Sequence, residues 1–110
     1  MRILITGSAG FIGFHVAEKL LKKGVKVYGI DSINNYYDVS LKKSRLNILK
    51  KYKNFTFVKI KLENEKKLLK YAIKFKPQII IHLAAQAGVR NSIKNPEVYL
   101  NSNILGTFNI

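Results

Sequence analysis

Short apolar runs and longer amphipathic segments alternate along the chain. The apolar runs lie at residues 2–7, 25–30, 55–60 and 78–83, and each has the length of a β-strand. Runs such as Ile79 to Ile81, which are apolar at consecutive positions, are typical of strands covered on both faces. The amphipathic segments lie at 11–23, 40–51 and 63–76, and they carry apolar residues at helical spacing. A last helix is expected after Asn95, with Pro96 at its first position.

Each predicted helix has an apolar stripe and a lysine-rich face. The stripes expected to face inward are Phe11, Ile12, Val16, Leu20 and Leu21 in the first helix, Leu41, Leu46 and Leu49 in the second, and Leu68, Leu69, Ala72, Ile73 and Phe75 in the third. We expect Gly24 to end the first helix, Ser40 to cap the second and Pro77 to break the third. Regular alternation of strands and helices predicts an α/β fold with a doubly wound parallel sheet.

Three glycines, Gly7, Gly10 and Gly13, join the first strand to the first helix. A strand that turns sharply into a helix offers free N–H groups and a positive dipole end to a phosphate. Gly7 allows the tight turn, Gly10 clears the approach of a pyrophosphate, and Gly13 permits close packing of the helix. Asp31, at the end of the next strand, follows Gly13 by eighteen residues. A carboxylate there accepts both ribose hydroxyls and repels a 2′-phosphate, so the pattern favours NAD over NADP.

A plainer interpretation of the triplet is a tight structural turn, and Asp31 alone could cap a turn. With strand, helix and carboxylate in register, we favour a Rossmann-like dinucleotide site, built by four strands with intervening helices. The small-residue loop 84–90 follows the fourth strand and borders the same edge of the sheet. Arg90 in that loop either clamps a phosphate or carboxylate, or is a solvated surface residue. His15 and His82 have no second ligand at metal spacing, so no metal site is expected.

The formal net charge is +14, from 20 Lys and Arg against 6 Asp and Glu. A polyanion-binding surface is one explanation, but the lysines are dispersed, which is typical of solvated helix faces. Cysteine is absent, so no disulfide framework exists and the cytoplasm is the expected compartment. The chain has no apolar run long enough for a membrane span, and its first strand begins too early to leave room for a signal peptide.

Four segments together resemble the extended short-chain dehydrogenases/reductases. They are Thr6-Gly7-x-x-Gly10-Phe11-Ile12-Gly13, then Asp31, then His82-Leu83-Ala84-Ala85, then Asn103-x-x-Gly106-Thr107. The segments 34–42 and 84–90 are similar to those of the UDP-glucuronate 4-epimerases within that superfamily. The resemblance extends over essentially all 110 residues. Because the chain reaches Ile110 inside a helical stretch, we expect residues 1–110 to be the N-terminal part of an NAD-binding Rossmann domain, with the rest of that domain and the substrate domain absent.

This resemblance implies that NAD takes a hydride from C4 of a nucleotide sugar, a UDP-sugar by analogy, and returns it to the other face. The cofactor-binding residues implied are Gly7, Gly10, Phe11, Ile12, Gly13, Asp31, Ser32, Asn34, Leu83, Ala84, Ala85, Gln86 and Ser102. Arg90 matches an arginine on the substrate side, and Asn103 matches an asparagine near the catalytic site. The family's Tyr-x-x-x-Lys pair does not occur in these residues, so the chain alone is expected to be inactive. The full-length protein is expected to be a homodimer.

Two positions depart from the family pattern. Lys61 stands where an adenine-binding Asp is usual, and a lysine cannot accept a hydrogen bond, so either adenine binds more weakly or Glu63 substitutes. Asn91 replaces a frequent Tyr, which leaves the sugar open. A nucleotide-sugar 4,6-dehydratase or reductase would share this half. From other classes, a basic nucleic-acid-binding module or a non-catalytic NAD sensor are the alternatives, although no specific nucleic-acid partner is expected.

Overall fold

The computed structural model of the chain describes residues 1–33 and 39–84. Within them the four expected strands form one sheet: β1 is Arg2–Thr6, β2 is Lys26–Asp31, β3 is Phe55–Lys59 and β4 is Ile79–His82. The strands lie in the order β3-β2-β1-β4, and all three pairings are parallel. The predicted α/β class and the doubly wound, Rossmann-like arrangement are therefore confirmed.

Three helices connect these strands: α1 is Phe11–Lys22, α2 is Val39–Leu49 and α3 is Glu65–Phe75. Gly24 follows α1 with φ +82°, as its predicted place after the last turn requires. The prediction that Ser40 caps α2 is wrong, because that helix already includes Val39. Asn64, for which the sequence predicted no role, caps α3 by accepting a hydrogen bond from the Lys67 N–H at 3.2 Å.

The sheet has a separate apolar layer on each face, because neighbouring residues of a strand point in opposite directions. Ile3 and Ile5 belong to the layer shared with α1 and α2, whereas Leu4 belongs to the layer beneath α3. In the second layer the rings of Tyr28 and Phe75 stack with centroids 4.1 Å apart. Helices thus cover both faces of the sheet and leave the carboxyl ends of its strands uncovered. We call these strand ends the open edge of the sheet.

Several residues expected to face inward are exposed. In α1, Phe11 and Ile12 are 67% and 62% exposed, because the first turn follows the end of β1, and burial begins at Gly13 and Phe14. The other corrections are the exposed Leu41 of α2 and the exposed Leu69 and Ile73 of α3. In α3 the narrow stripe from Leu68 to Phe75 contacts the sheet, so residues one position further round the helix do not.

The prediction that β4 is buried on both faces is also wrong for the described part of the chain. Ile79 and Ile80 are each more than 40% exposed, and the strand pairs only with β1 at the edge of the described sheet. The loop from 34 to 38, the small-residue loop beyond Ala84 and the expected helix after Asn95 lie outside the described residues.

One hydroxyl group joins the carboxyl ends of β1 and β4. The fully buried Thr6 Oγ1 accepts hydrogen bonds from the N–H groups of Leu83 and Ala84, at 3.0 and 3.1 Å. It also lies 2.6 Å from Nδ1 of His82. Because these two donors use the oxygen's lone pairs, we assign its proton to the hydrogen bond with Nδ1, which makes His82 the neutral tautomer protonated on Nε2. Burial agrees with this assignment, since desolvation lowers the pKa of His82 below its ordinary value of 6.5.

This junction predicts a loss of stability in mild acid. Unfolded His82 takes up its proton near pH 6.5, whereas folded His82 does so only at lower pH. The unfolded state therefore binds more protons in that window, and the free energy of unfolding falls as the pH drops from about 7 toward 5. Urea titrations at several pH values measure this slope. The variant His82→Asn serves as the control and should flatten it, and equal slopes in the two proteins would contradict the assignment.

Candidate functional site

The turn between β1 and α1 is fixed against the end of β2. Gly7 has φ +75°, a conformation that favours glycine. The N–H groups of Gly7 and Ser8 both donate to the Ile30 carbonyl oxygen, at 2.8 and 3.3 Å, and the Gly10 N–H donates to the Gly7 carbonyl at 3.0 Å. These bonds hold the backbone of the turn at the open edge of the sheet, where α/β folds bind their ligands.

Among the residues that the structure describes, no side chain caps the N-terminus of α1. Gly10 is the N-cap and supplies no side-chain hydrogen bond, and the first turn contains no acidic residue. The first N–H groups of a helix lack acceptors within the helix, and the helix dipole adds partial positive charge there. Among the described residues, a Cβ on Gly10 would meet a single atom, the Gly7 oxygen at 3.2 Å. The first turn of α1 can therefore receive an anion such as a pyrophosphate.

Gly13 allows α1 to lie directly against this turn. A Cβ at Gly13 would overlap the carbonyl oxygen of Gly7 and lie 3.1 Å from Cα of Ser8. The predicted close approach is thus present, but the contacting partner is the glycine turn rather than the sheet itself. A Cβ on Gly7 would in turn come within 2.8 Å of the Ala84 backbone nitrogen. The three segments are packed too closely for side chains at these two positions.

Asp31 lies beside the turn, as the sequence predicts, and its carboxylate is 5% exposed. Its Oδ2 accepts the Ala9 N–H at 3.0 Å, and its Oδ1 accepts the Ile33 N–H at 2.9 Å. A carboxylate oxygen accepts two hydrogen bonds, and within residues 1–33 and 39–84 the Ala9 N–H is the one donor to Oδ2, so this oxygen has capacity there for a ligand hydroxyl. The residue therefore supports the turn and can still accept a hydrogen bond from a ribose.

Two cationic side chains of α2 complete this site, and the sequence pattern predicted a role for neither. Lys42 is buried and its Nζ lies 3.2 Å from Oδ1 of Asp31. Arg45 donates through Nη1 to the carbonyl oxygen of Ala9 at 3.1 Å, and its Cζ lies 5.9 Å from the ring centroid of Phe11. The signal that could have revealed them is their spacing, since residues three apart share one face of a helix.

A cavity of about 430 Å³ opens at the carboxyl ends of β2 and β3. Its lining residues are Ser32, Lys59, Ile60, Lys61, Glu63, Asn64 and Lys67. Both residues considered for adenine, Lys61 and Glu63, therefore border the same space as Ser32. Of these two, only the half-buried Glu63 carries a hydrogen-bond acceptor in its side chain.

The described residues bring together Gly7, Gly10, Phe11, Ile12, Gly13, Asp31, Ser32, Leu83 and Ala84 at one edge of the sheet. The exposure of Phe11 and Ile12 there fits residues at the entrance of a cleft better than residues of the core. The other predicted site residues, Asn34, Ala85, Gln86, Arg90, Ser102 and Asn103, lie outside the described ranges. Over 1–33 and 39–84, no three His, Cys, Asp or Glu side chains are grouped so as to hold a metal ion. A search of the same ranges for a helix able to span a membrane finds none.

The sequence matches the family described as GDP-mannose 4,6 dehydratase over residues 4–110, and the chain belongs to that family. Protein CapI of Staphylococcus aureus is 57% identical over 110 residues, which are the whole of this chain and 33% of that protein. The UDP-glucuronate 4-epimerase of Thermodesulfobacterium geofontis is 51% identical over 97% of this chain and 33% of the relative. The chain thus spans about a third of the length of these curated relatives.

Solved structures extend the likeness to the fold and its ligands. The UDP-glucuronic acid 4-epimerase of Bacillus cereus, determined in complex with UDP-glucuronic acid and NAD, superposes with a TM-score of 0.86 at 35% identity. The match covers 99% of this chain and 34% of that protein. The resemblance to UDP-glucuronate 4-epimerases drawn from the sequence is confirmed, and NAD is the cofactor bound in this structural neighbour.

The close contact at Gly13 predicts that the substitution Gly13→Ala destabilises the protein, unlike most Gly→Ala substitutions inside helices. Inside a helix, Gly→Ala normally adds stability, by up to about 1 kcal/mol. At Gly13 the added Cβ would overlap the Gly7 oxygen, so we expect Gly13→Ala to lower the free energy of unfolding by about 1–3 kcal/mol. Lys19→Ala, at an exposed position of the same helix, is the matched control and should change it by less than about 0.5 kcal/mol. A stabilising Gly13→Ala, measured by urea unfolding, would disprove the close contact.

Proposed function

We propose that this chain is the NAD-binding half of a nucleotide-sugar 4-epimerase that acts on UDP-glucuronate or a closely related UDP-sugar. The observation that carries the proposal is the pairing of an open helix N-terminus with Asp31 across the glycine turn. A pyrophosphate at α1 and a ribose at Asp31 are the parts of a dinucleotide that these two groups recognise. Relatives and structural neighbours that are UDP-glucuronate 4-epimerases supply the choice of reaction.

In this proposal the residues of the chain bind and orient the cofactor. The backbone N–H groups from Phe11 to Gly13 hold the pyrophosphate, and Asp31 accepts the ribose hydroxyls. Ser32 borders the adenosine, with Glu63 as the acceptor available in the adjoining cavity. Leu83 and Ala84, whose N–H groups are tied to Thr6, form the backbone wall on the other side. When bound, NAD would supply the acceptor for a hydride from C4 of the sugar.

The remaining assignments belong to the part of the chain beyond Ala84 and to the 34–38 loop. Asn34, Ala85, Gln86 and Ser102 are proposed cofactor contacts. Arg90 is a proposed contact to the acidic substrate, and Asn103 a proposed supporting residue near the reacting sugar. The proton-transfer groups of the reaction are proposed to lie in sequence other than these 110 residues, which contain no Tyr-x-x-x-Lys. The complete enzyme is proposed to be a cytoplasmic homodimer in nucleotide-sugar metabolism.

The first test of this proposal is the removal of the Asp31 carboxylate. Asp31→Ala should raise the dissociation constant for NAD about ten- to hundredfold, because hydrogen bonds from the ribose to a charged acceptor are lost. Isothermal titration calorimetry measures the binding, and circular dichroism confirms that the variant is folded. Glu18→Ala removes an acid in the second half of α1 that pairs with Lys22, and it should leave NAD binding unchanged. Equal NAD affinity in Asp31→Ala and the parent would refute the proposed role.

A second expectation concerns turnover. We expect the 110-residue chain, supplied with NAD and UDP-glucuronate, to form no UDP-galacturonate, because the groups that move protons are missing from it. Chromatographic separation of the two UDP-sugars measures this. Epimerisation by the chain alone would refute the placement of those groups elsewhere.

A 4,6-dehydratase is the second candidate, because the matching family bears that name. Its reaction shares the hydride transfer and differs in the proton-transfer groups, so product analysis of the full-length protein distinguishes the two. The nucleic-acid-binding alternative relies on the exposed lysines of α2 and α3. It requires affinity for DNA or RNA that falls steeply with salt and does not depend on Asp31.

A further inference from the structure

Three charged side chains are gathered around a single residue of the glycine turn, Ala9. The Ala9 N–H donates to Asp31 at 3.0 Å, and the Ala9 carbonyl oxygen accepts from Arg45 at 3.1 Å. Lys42 is joined to the same cluster through its ion pair with Asp31 at 3.2 Å. The carboxylate that we propose as the ribose acceptor therefore has an ammonium in contact with it and a guanidinium on the other side of Ala9.

This arrangement changes the electrostatic argument for cofactor choice. Asp31 taken alone repels a 2′-phosphate, but the cluster carries two positive charges against one negative charge. The side chains of Lys42 and Asp31 are only 10% and 5% exposed, so water and salt screen their charges weakly. Asp31 would repel a 2′-phosphate and so select NAD. Lys42 opposes that repulsion, because its ammonium lies against Oδ1 of Asp31, the oxygen that also accepts the Ile33 N–H.

Both cations have the chemistry that a phosphate monoester requires. A lysine ammonium binds phosphate as a point charge, and an arginine guanidinium presents several N–H donors in one plane. Among the described residues, Arg45 uses Nη1 on Ala9, and its Cζ lies 5.9 Å from the ring centroid of Phe11, the first residue of α1. Its guanidinium is therefore beside the end of the helix at which the dinucleotide is proposed to bind.

We propose that Lys42 and Arg45 determine the dinucleotide specificity of this site together with Asp31. Each cation offers N–H donors to a phosphate on the ribose 2′-oxygen, and the negative charge of Asp31 opposes the binding of that phosphate. This inference rests on the proposed function, since it assumes that the adenosine ribose lies at Asp31. It identifies two specificity-determining residues on α2, and it predicts that the preference for NAD over NADP reverses when the negative charge of Asp31 is removed.

The test compares four ligands: NAD, NADP, 5′-AMP and adenosine 2′,5′-bisphosphate. The last two differ by the 2′-phosphate and isolate its contribution. In Asp31→Ser, which replaces the negative charge by a smaller neutral side chain, NADP should bind about ten- to hundredfold more tightly than it does to the parent. Binding is measured by calorimetry, and circular dichroism establishes that each variant is folded. The affinity gained for NADP should weaken with added salt more steeply than NAD binding does.

Double variants assign the gain to the two cations. Adding Lys42→Met or Arg45→Met to Asp31→Ser should abolish most of the gain, and adding Lys43→Met, an exposed lysine of the same helix, should preserve it. Asp31→Ser alone leaves the Lys42 ammonium buried without its carboxylate. The double variant Asp31→Ser with Lys42→Met removes that ammonium as well. The proposal is overturned if folded Asp31→Ser binds NADP no better than the parent does, or if the gain survives loss of both cations.

A second set of variants retains Asp31, because Asp31→Ser leaves the Lys42 ammonium buried and is open to misfolding. Lys42→Met and Arg45→Met alone should each raise the ratio of the NADP to the NAD dissociation constant about tenfold. An unchanged ratio in both would overturn the proposal. Failure of the parent chain to bind NAD would instead overturn the proposed function, so the two outcomes are distinct.

Discussion

The site depends on the carboxylate of Asp31, which holds three parts of the chain in one place. It accepts the N–H of Ala9 from the glycine turn and the N–H of Ile33 from the segment after β2, and it pairs with Lys42 of α2. Burying a charged group is costly unless it is paired and hydrogen-bonded, so these three partners offset the cost of placing the carboxylate there. The Asp31 carboxylate, which we propose as a ligand contact, therefore also holds the glycine turn, the segment after β2 and α2 together.

Local spacing predicted the parts of the site that depend on neighbours in sequence. Gly7, Gly10 and Gly13 were identified from the strand before them and the helix after them, and Asp31 from its position at the end of the next strand. Lys42 could not be identified in the same way. It lies among other lysines in a segment whose wet face was expected to be basic, and its partner is eleven residues away and reached only through the fold. Burial of a lysine depends on a partner, which composition and periodicity do not report.

The errors in the helix faces have a related cause. Periodicity finds an apolar stripe but does not say which part of it meets the sheet, so Leu69 and Ile73 were grouped with Leu68 and Phe75. Phe11 was treated as a core residue and also as a cofactor residue, although its position in the first turn of α1 leaves it largely exposed. The same position makes it available to the Arg45 guanidinium. For Phe11 and Ile12, the disagreement between local pattern and tertiary placement falls on residues at the ligand edge of the sheet.

The order of strands in the sheet also decides when this fold can be completed. β1 is made first, yet it lies between β2 and β4, and its second edge pairs with residues 79–82. Until β4 has been synthesised, one side of β1 presents unpaired N–H and C=O groups, which can attract another chain. Closing such a distant pairing costs loop entropy and slows folding. Thr6 therefore cannot acquire its hydrogen bonds from Leu83 and Ala84 until the end of β4 has been made, although it is synthesised 77 residues before Leu83.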